Sequence, residues 1–190
     1  VNANIGAQLN AFTADIEFDV VDNAAGLIAE MGGADVAGHL TEANSITVND
    51  GAVNASDGAI LASFTADVDF DVSDTAANIA AQVASGVAQD YGADSLEDAD
   101  SVFVESGIAV TASQAESVQD LINYSGGDID ISDSASNLIS AGDHVLNVTG
   151  VDVVTVNDGA VTAADGAKLN GFAADVEYEV ADSAANIVAN

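Results

Sequence analysis

Apolar and polar residues alternate with period two in a short stretch that recurs four times: Ile16-Glu-Phe-Asp-Val-Val-Asp22, Val68-Asp-Phe-Asp-Val-Ser-Asp74, Ile129-Asp-Ile-Ser-Asp133 and Val176-Glu-Tyr-Glu-Val-Ala-Asp182. That period predicts a strand with one buried face. A small-residue run follows each stretch and predicts a helix start, as in Asp74-Thr-Ala-Ala-Asn78 and Asp182-Ser-Ala-Ala-Asn186. The closing Asp residues stand 52, 59 and 49 positions apart (74 − 22, 133 − 74, 182 − 133). Between them lies a second motif, Ile46-Thr-Val-Asn-Asp-Gly51, Val102-Phe-Val-Glu-Ser-Gly107 and Val154-Thr-Val-Asn-Asp-Gly159. It too leads to a predicted helix, ending in Leu-x-x-Phe/Tyr at Leu9/Phe12, Leu61/Phe64, Leu121/Tyr124 and Leu169/Phe172.

Each long repeat therefore reads as two coils, A and B, each a strand followed by a helix. The two-coil repeats cover 1–44 (partial), 45–100, 101–150 and 151–190 (partial), as one continuous array. Val20, Val48, Val72, Val104, Ile131, Val156 and Val180 fall at equivalent strand positions, a mean spacing of (180 − 20)/6, or about 27 residues. These residues and those two before them are apolar, so that face points inward. Thr111-x-x-Gln114 and Thr162-x-x-Asp165 have capping-box spacing, and Asp74 or Thr75 can cap the helix that follows. The predicted fold is α/β: a right-handed solenoid of about seven strand–helix coils, leucine-rich-repeat-like, with a parallel sheet on one face and Ala-rich helices on the other. The chain opens inside a B helix and closes inside an A helix, so neither end carries the polar cap that solenoids need. Two bare ends predict a piece of a longer array or a subunit that stacks end to end by strand addition.

The outward rows carry the candidate chemistry. One position before the reference they read Asp19, Thr47, Asp71, Phe103, Asp130, Thr155 and Glu179; three before, Glu17, Ser45, Asp69, Ser101, Asp128, Val153 and Glu177. Every A strand is acidic at both places and every B strand is uncharged. Like charges thus stand about 9.6 Å apart, two strands instead of one, where water reduces repulsion to about 0.4 kcal/mol per pair. The pattern suits a solvated face that tolerates its own charge. It equally suits cation binding, because carboxylates two residues apart can converge on Ca²⁺. Glu17, Asp19, Asp69, Asp71, Asp128, Asp130, Glu177 and Glu179 are the candidate ligands. A second ladder, Asp22, Asp50, Asp74, Asp133, Asp158 and Asp182, is broken only at Ser106. It sits where strand turns to helix and is expected to accept hydrogen bonds from turn amides. The connection Asp90–Asp100 adds an acidic loop with Asp94, Glu97, Asp98 and Asp100. Its spacing matches no EF-hand, and it aligns with Leu40-Thr-Glu-Ala-Asn-Ser45, so it reads as a charged version of a repeat loop.

Thirty-two Asp and Glu against a single base, Lys168, give a net charge of −31. Such a surface repels phosphate backbones and anionic headgroups, which excludes a nucleic-acid partner. No apolar run approaches the ~20 residues of a spanning helix, so no membrane insertion is expected. Hydrophobic residues at 49% argue for an ordered core, while 5% aromatics make that core thin. The absence of Cys removes disulfides, thiol catalysis and Cys-based zinc sites. His39 and His144 lie in A-to-B connections without a nucleophile motif. Carboxylate pairs such as Asp69/Asp71 recur in every A coil, whereas an active site is singular, so no enzyme is expected.

The pairing of Ser73-Asp-Thr-Ala-Ala-Asn-Ile79 with Ile46-Thr-Val-Asn-Asp-Gly51 resembles the repeats of very large secreted bacterial surface proteins of the RTX-adhesin type. The resemblance covers essentially the whole chain. It implies a cell-surface or extracellular-matrix location, Cys-free secretion and Ca²⁺ dependence, although the Gly-Gly-x-Gly-x-Asp nonapeptide of RTX calcium repeats is absent here. The expected function is structural: a chain that associates with itself, end to end or laterally, in a filament, surface layer or adhesin stalk. The alternative is a surface binding module whose acidic sheet face engages a glycan, a cationic partner or a mineral surface.

Overall fold

The structure, a computed structural model, describes residues 1–11, 16–31, 40–64, 67–86, 96 and 98–190. Among them the strands are β1 (Asp19–Asp22), β2 (Ser45–Val48), β3 (Asp71–Thr75), β4 (Ser101–Glu105), β5 (Tyr124–Gly127), β6 (Ile129–Asp133), β7 (Val151–Val156) and β8 (Val176–Glu177). The helices are α1 (Ala3–Asn10), α2 (Ala24–Met31), α3 (Ala55–Ala62), α4 (Ala76–Gly86), α5 (Ala112–Gln119), α6 (Ala135–Ala141), α7 (Asp143–Leu146), α8 (Ala163–Leu169) and α9 (Ala184–Ala189). The fold is mixed α/β, with parallel strands in three small sheets, β1-β2, β3-β4-β5 and β6-β7-β8. None of the three closes into a barrel.

The chain divides into two compact units, Val1–Asp74 with Ala81–Phe103 and Leu121–Ser125, and Thr75–Ala80 with Val104–Asp120 and Gly126–Asn190. In the first unit each strand bonds to the next one in the chain. β1 pairs with β2 in the register Val20↔Ile46 and Asp22↔Val48. The Asp69 N–H donates to the Ile46 carbonyl at 2.8 Å, and the Asp100 N–H to the Phe70 carbonyl at 2.8 Å. Phe18, Val20, Ile46, Phe70, Val72 and Val102 are buried, as the period-two pattern predicts. Helices α1, α2 and α3 pack side by side, with α1 against β1. In the second unit β6, β7 and β8 stack in the register Ile131↔Val154↔Val176, with an irregularity between Ile129 and Ile131. Val110, Ile131, Leu138, Leu146, Val154 and Leu169 form its core. Each such side chain contributes about 1.5–3 kcal/mol of burial free energy.

The B helices start at side-chain caps, of which the sequence predicts those at Thr111 and Thr162. Asn2, Asn54, Thr111 and Thr162 each accept, through a side-chain oxygen, the amide three residues on, and Thr111 with Gln114 makes a full capping box. Thr75 caps α4, its hydroxyl oxygen accepting the Asn78 amide at 3.3 Å. The Leu-x-x-Phe/Tyr signature is a closing turn: the Phe64, Tyr124 and Phe172 amides donate to the Leu61, Leu121 and Leu169 carbonyls at 3.1–3.2 Å. At the third copy the helix stops before Leu121, and Tyr124 opens strand β5 instead of ending a helix.

Two further elements have no periodic signal. After each Asp-Gly or Ser-Gly turn a single valine returns to the ladder, giving the bridges Val53↔Val72, Val110↔Ile131 and Val161↔Val180. Val1 takes the same place beside β1, where its carbonyl accepts the Val21 N–H at 2.8 Å. The turns need glycine, since Gly51 and Gly159 have φ of +91° and +100°. The short helix α7 was likewise not predicted; Gly142, at φ +67°, separates it from α6.

Candidate functional site

The inner acidic ladder is a set of carboxylates that accept helix-start amides 19 to 26 residues earlier in the chain. Asp22, Asp74, Asp133 and Asp182 accept, through Oδ2, the first helical amide of the preceding B helix, at Ala3, Ala55, Ala112 and Ala163, over 3.0–3.1 Å. Asp50 and Asp158 accept, through Oδ1, the first helical amides of the A helices, at Ala24 and Ala135, at 3.1 Å. The other oxygen of Asp22, Asp133 and Asp182 takes the next amide along the chain, at Asn23, Ser134 and Ser183, over 2.7–2.9 Å. A helix start holds unsatisfied N–H groups and partial positive charge, so a carboxylate there is stabilising. The expected turn-amide role is met, and in each of the six one bond goes to a helix start 19 to 26 residues earlier in the chain.

Asp133 is the buried member of the ladder, at 7% exposure. Burial alone would raise its pKa, but hydrogen bonds from the Asn137 side chain and the Ser134 and Ala112 amides outweigh it and hold the carboxyl below the ordinary range. Asp182 is lowered by the Asn186 side chain first and by the Ala163 and Ser183 amides next.

The outer rows behave differently. Glu17, Asp19, Asp69, Asp71, Asp128, Glu177 and Glu179 are exposed, and Asp130 is half-buried. Hydroxyls on neighbouring B strands donate to them: Ser45 to Asp19 at 3.0 Å, Thr47 to Asp69 at 3.3 Å and Ser101 to Asp71 at 2.6 Å. The alternation of acidic A strands with hydroxyl-bearing B strands thus makes carboxylate–hydroxyl pairs. Among the described residues no three of His, Asp or Glu come close enough to hold one metal ion. Ca²⁺ takes six to eight oxygens; the described carboxylate–hydroxyl pairs offer a field of fixed negative charge.

In the acidic connection, Asp94 and Glu97 lie outside the described residues. The side chain of Asn123 ties this stretch down, donating to the Leu96 and Ala99 carbonyls at 2.7 Å each. Asp100 is pushed above the ordinary carboxylate range by partial burial first, then by the charges of Asp69, Asp71 and Asp67. Nearby, Leu61, Phe64, Asp67, Val68, Phe70 and Asp98 line an open cleft of about 220 Å³. His144 stands 3.4 Å from Glu116 on the surface, and His39 lies outside the described residues. The single base, Lys168, is bonded to Asp165 at 2.9 Å, where it is the first cause of that carboxyl's lowered pKa.

No helix among the described residues is long and apolar enough to cross a membrane. Compared with protein-family models, with curated proteins and with solved structures, the chain matches none.

Proposed function

We propose that this chain is a non-enzymatic, extracellular structural protein: a right-handed solenoid of about seven strand–helix coils that associates with itself in a filament, surface layer or stalk. The observation that carries this reading is the repetition of one contact set. The same Asp reaches the same helix start of the preceding coil at six places, three in each unit. A module whose parts recur at every step is suited to length, whereas a catalytic constellation occurs once. With a net charge of −31, association between copies depends on cations that screen the outer rows. Light-scattering mass in millimolar Ca²⁺ and in EDTA at matched ionic strength tests the proposal. Mass that grows in Ca²⁺ and falls in EDTA supports it; a monomer in both buffers removes the self-association.

A second reading, a binding module for a cationic partner, a glycan or a mineral surface, is favoured by the hydroxyl bonds that hold Asp19, Asp69 and Asp71 in fixed positions on the sheet face. A chain that stays monomeric yet is retained on hydroxyapatite, with retention lost when these three become Asn, selects this reading over the first.

A further inference from the structure

Asn-x-Ser/Thr, the acceptor triplet for N-linked glycans, occurs three times, at Asn54-Ala-Ser56, Asn123-Tyr-Ser125 and Asn147-Val-Thr149. A chain rich in Asn, Ser and Thr forms such triplets by composition, so the sequence does not separate the three. The structure does. Glycan transfer needs the side-chain Nδ2 as nucleophile, and the fold uses that atom differently in each copy.

Asn54 is the N-cap of α3. Its Oδ1 accepts the Asp57 amide at 2.9 Å, and its Nδ2 donates to Asp57 Oδ2 at 2.8 Å. Asn123 donates twice through Nδ2, to the Leu96 and Ala99 carbonyls at 2.7 Å, and its Oδ1 is buried. Both nitrogens are therefore engaged by the fold. The Asn147 side chain has no hydrogen-bond partner among the described residues, and Asn147, Val148 and Thr149 are all exposed. The backbone around it is held. The Asn147 N–H ends α7 on the Asp143 carbonyl at 3.1 Å, and the Val151 N–H closes the next turn on the Val148 carbonyl at 3.1 Å. The triplet thus lies between two closed turns, ahead of β7 and outside its strand pairing.

We infer that Asn147 is the N-glycosylation site of this chain, with a sugar carried on a diphosphate as the second substrate. Asn147 Nδ2 attacks the anomeric carbon, and a C–N bond forms as the bond from that carbon to the diphosphate oxygen breaks. The diphosphate carrier leaves with the electron pair, and the amide proton passes to a base of the transferase. The product amide is neutral, so the chain gains a bulky, solubilising group without a change in its charge of −31. The inference rests on the extracellular placement proposed above, since such glycans belong to surface loops of secreted proteins.

The test incubates the folded full chain with UDP-glucose and a soluble, sequon-specific N-glucosyltransferase, followed by peptide mapping in a mass spectrometer. The expected result is one hexose per chain, on Asn147, lost in Asn147→Gln and in Thr149→Ala. Both positions are exposed, and circular dichroism verifies the fold of each variant. In the folded chain Asn54 and Asn123 should react at least about tenfold more slowly, because their Nδ2 hydrogen bonds must break first. Short peptides spanning the three triplets have no such bonds and should react alike. Equal transfer to Asn54 or Asn123 in the folded chain, or peptides that already show the same preference, overturns the inference. Native chain recovered from outside the producing cell should carry its glycan on Asn147; a bare Asn147 there also overturns it. Light scattering separates the two proposals. A glycosylated chain that stays monomeric loses only the self-association, whereas a chain that assembles with Asn147 bare loses only the glycan site.

Discussion

Asp133 Oδ2 accepts the amide of Ala112 at 3.1 Å across 21 residues of chain, while Oδ1 takes the amide of Ser134 and the side chain of Asn137 at 2.7 and 2.8 Å. One buried carboxylate therefore fastens the start of α6, the helix that follows it, and the start of α5, the helix before. Replacing it leaves the helix-start amide of Ala112 orphaned in a buried site, while Asn137, which is exposed, can turn to water. Asp133→Ala should cost about 2–4 kcal/mol, from several hydrogen bonds to one charged group. Asp133→Asn keeps one acceptor oxygen and should cost less. Denaturant unfolding with an unchanged m-value measures both.

The same bond set predicts a pH dependence. The folded pKa of Asp133 lies below the unfolded value, so its stabilisation is present above the unfolded pKa, about 3.9. It is lost as pH falls through the folded value. The stability gap between the parent chain and Asp133→Asn should be constant from pH 7 to 5 and close on acidification below about pH 4. A gap that widens in acid contradicts the assignment. Asp182, lowered by equivalent bonds, acts in the same direction.

Asp100 has the opposite sign. Its pKa is raised by partial burial and then by Asp69, Asp71 and Asp67, so the folded state binds its proton more tightly than the unfolded state. It favours folding in acid and opposes it as pH rises past the folded value. Asp100→Asn should stabilise the protein at pH 7 by no more than about 0.5 kcal/mol, since solvent screens an exposed group. The gain should vanish at pH 3 and shrink in 1 M NaCl.

Close approach between the B helix and the A strand depends on Gly58. A Cβ there would lie 2.7 Å from Val72 Cγ2 and 3.3 Å from Leu96 Cδ2, both on buried residues. Gly58→Val should destabilise by about 1–3 kcal/mol through overpacking. Gly126, whose added Cβ would meet nothing within 4 Å but whose φ is +120°, is a contrasting position where strain, not contact, limits substitution. Thermal unfolding of both variants, with and without Val72→Ala beside Gly58, separates the causes: only the Gly58 defect should be relieved.

Much of this architecture is legible in the sequence because its signals are local. Period two sorts Phe18, Val20, Phe70 and Val72 inward, and the small-residue runs place α2, α4, α6 and α9. The position of the inner Asp ladder at the strand ends indicates an amide-binding role. The identity of the donor is not legible, since Ala3, Ala24 and Ala55 lie 19 to 26 residues away from their acceptors and carry no mark of their own. Val53, Val110 and Val161 are missed because one residue between a glycine turn and a helix cap has no period. Strand β5 is missed because Ser125-Gly126-Gly127 looks like a loop; both glycines take positive φ, yet the segment pairs as a strand. The outer carboxylates look like cation ligands in sequence, where Ser45, Thr47 and Ser101 do not reveal that they donate to them.

That outer face yields the last prediction. Carboxylates on a high-dielectric surface with one base among 32 acids repel one another in the folded state more than in the expanded chain. Screening should therefore raise stability, with Tm climbing between 10 mM and 1 M NaCl, a range over which the Debye length falls from about 30 Å to about 3 Å. Diffuse screening depends on ionic strength and cation valence, so Ca²⁺ and Mg²⁺ at equal concentration should act alike. A coordination site distinguishes them, because Mg²⁺ demands a tight octahedron and Ca²⁺ does not. The carboxylate–hydroxyl pairs predict the first behaviour: equal Tm shifts for the two ions, and a linear rather than saturating calcium titration in calorimetry. A saturable, Ca²⁺-selective rise abolished by Asp69→Asn with Asp71→Asn would instead show that the rows close around the ion into a site that the ion-free chain does not hold ready.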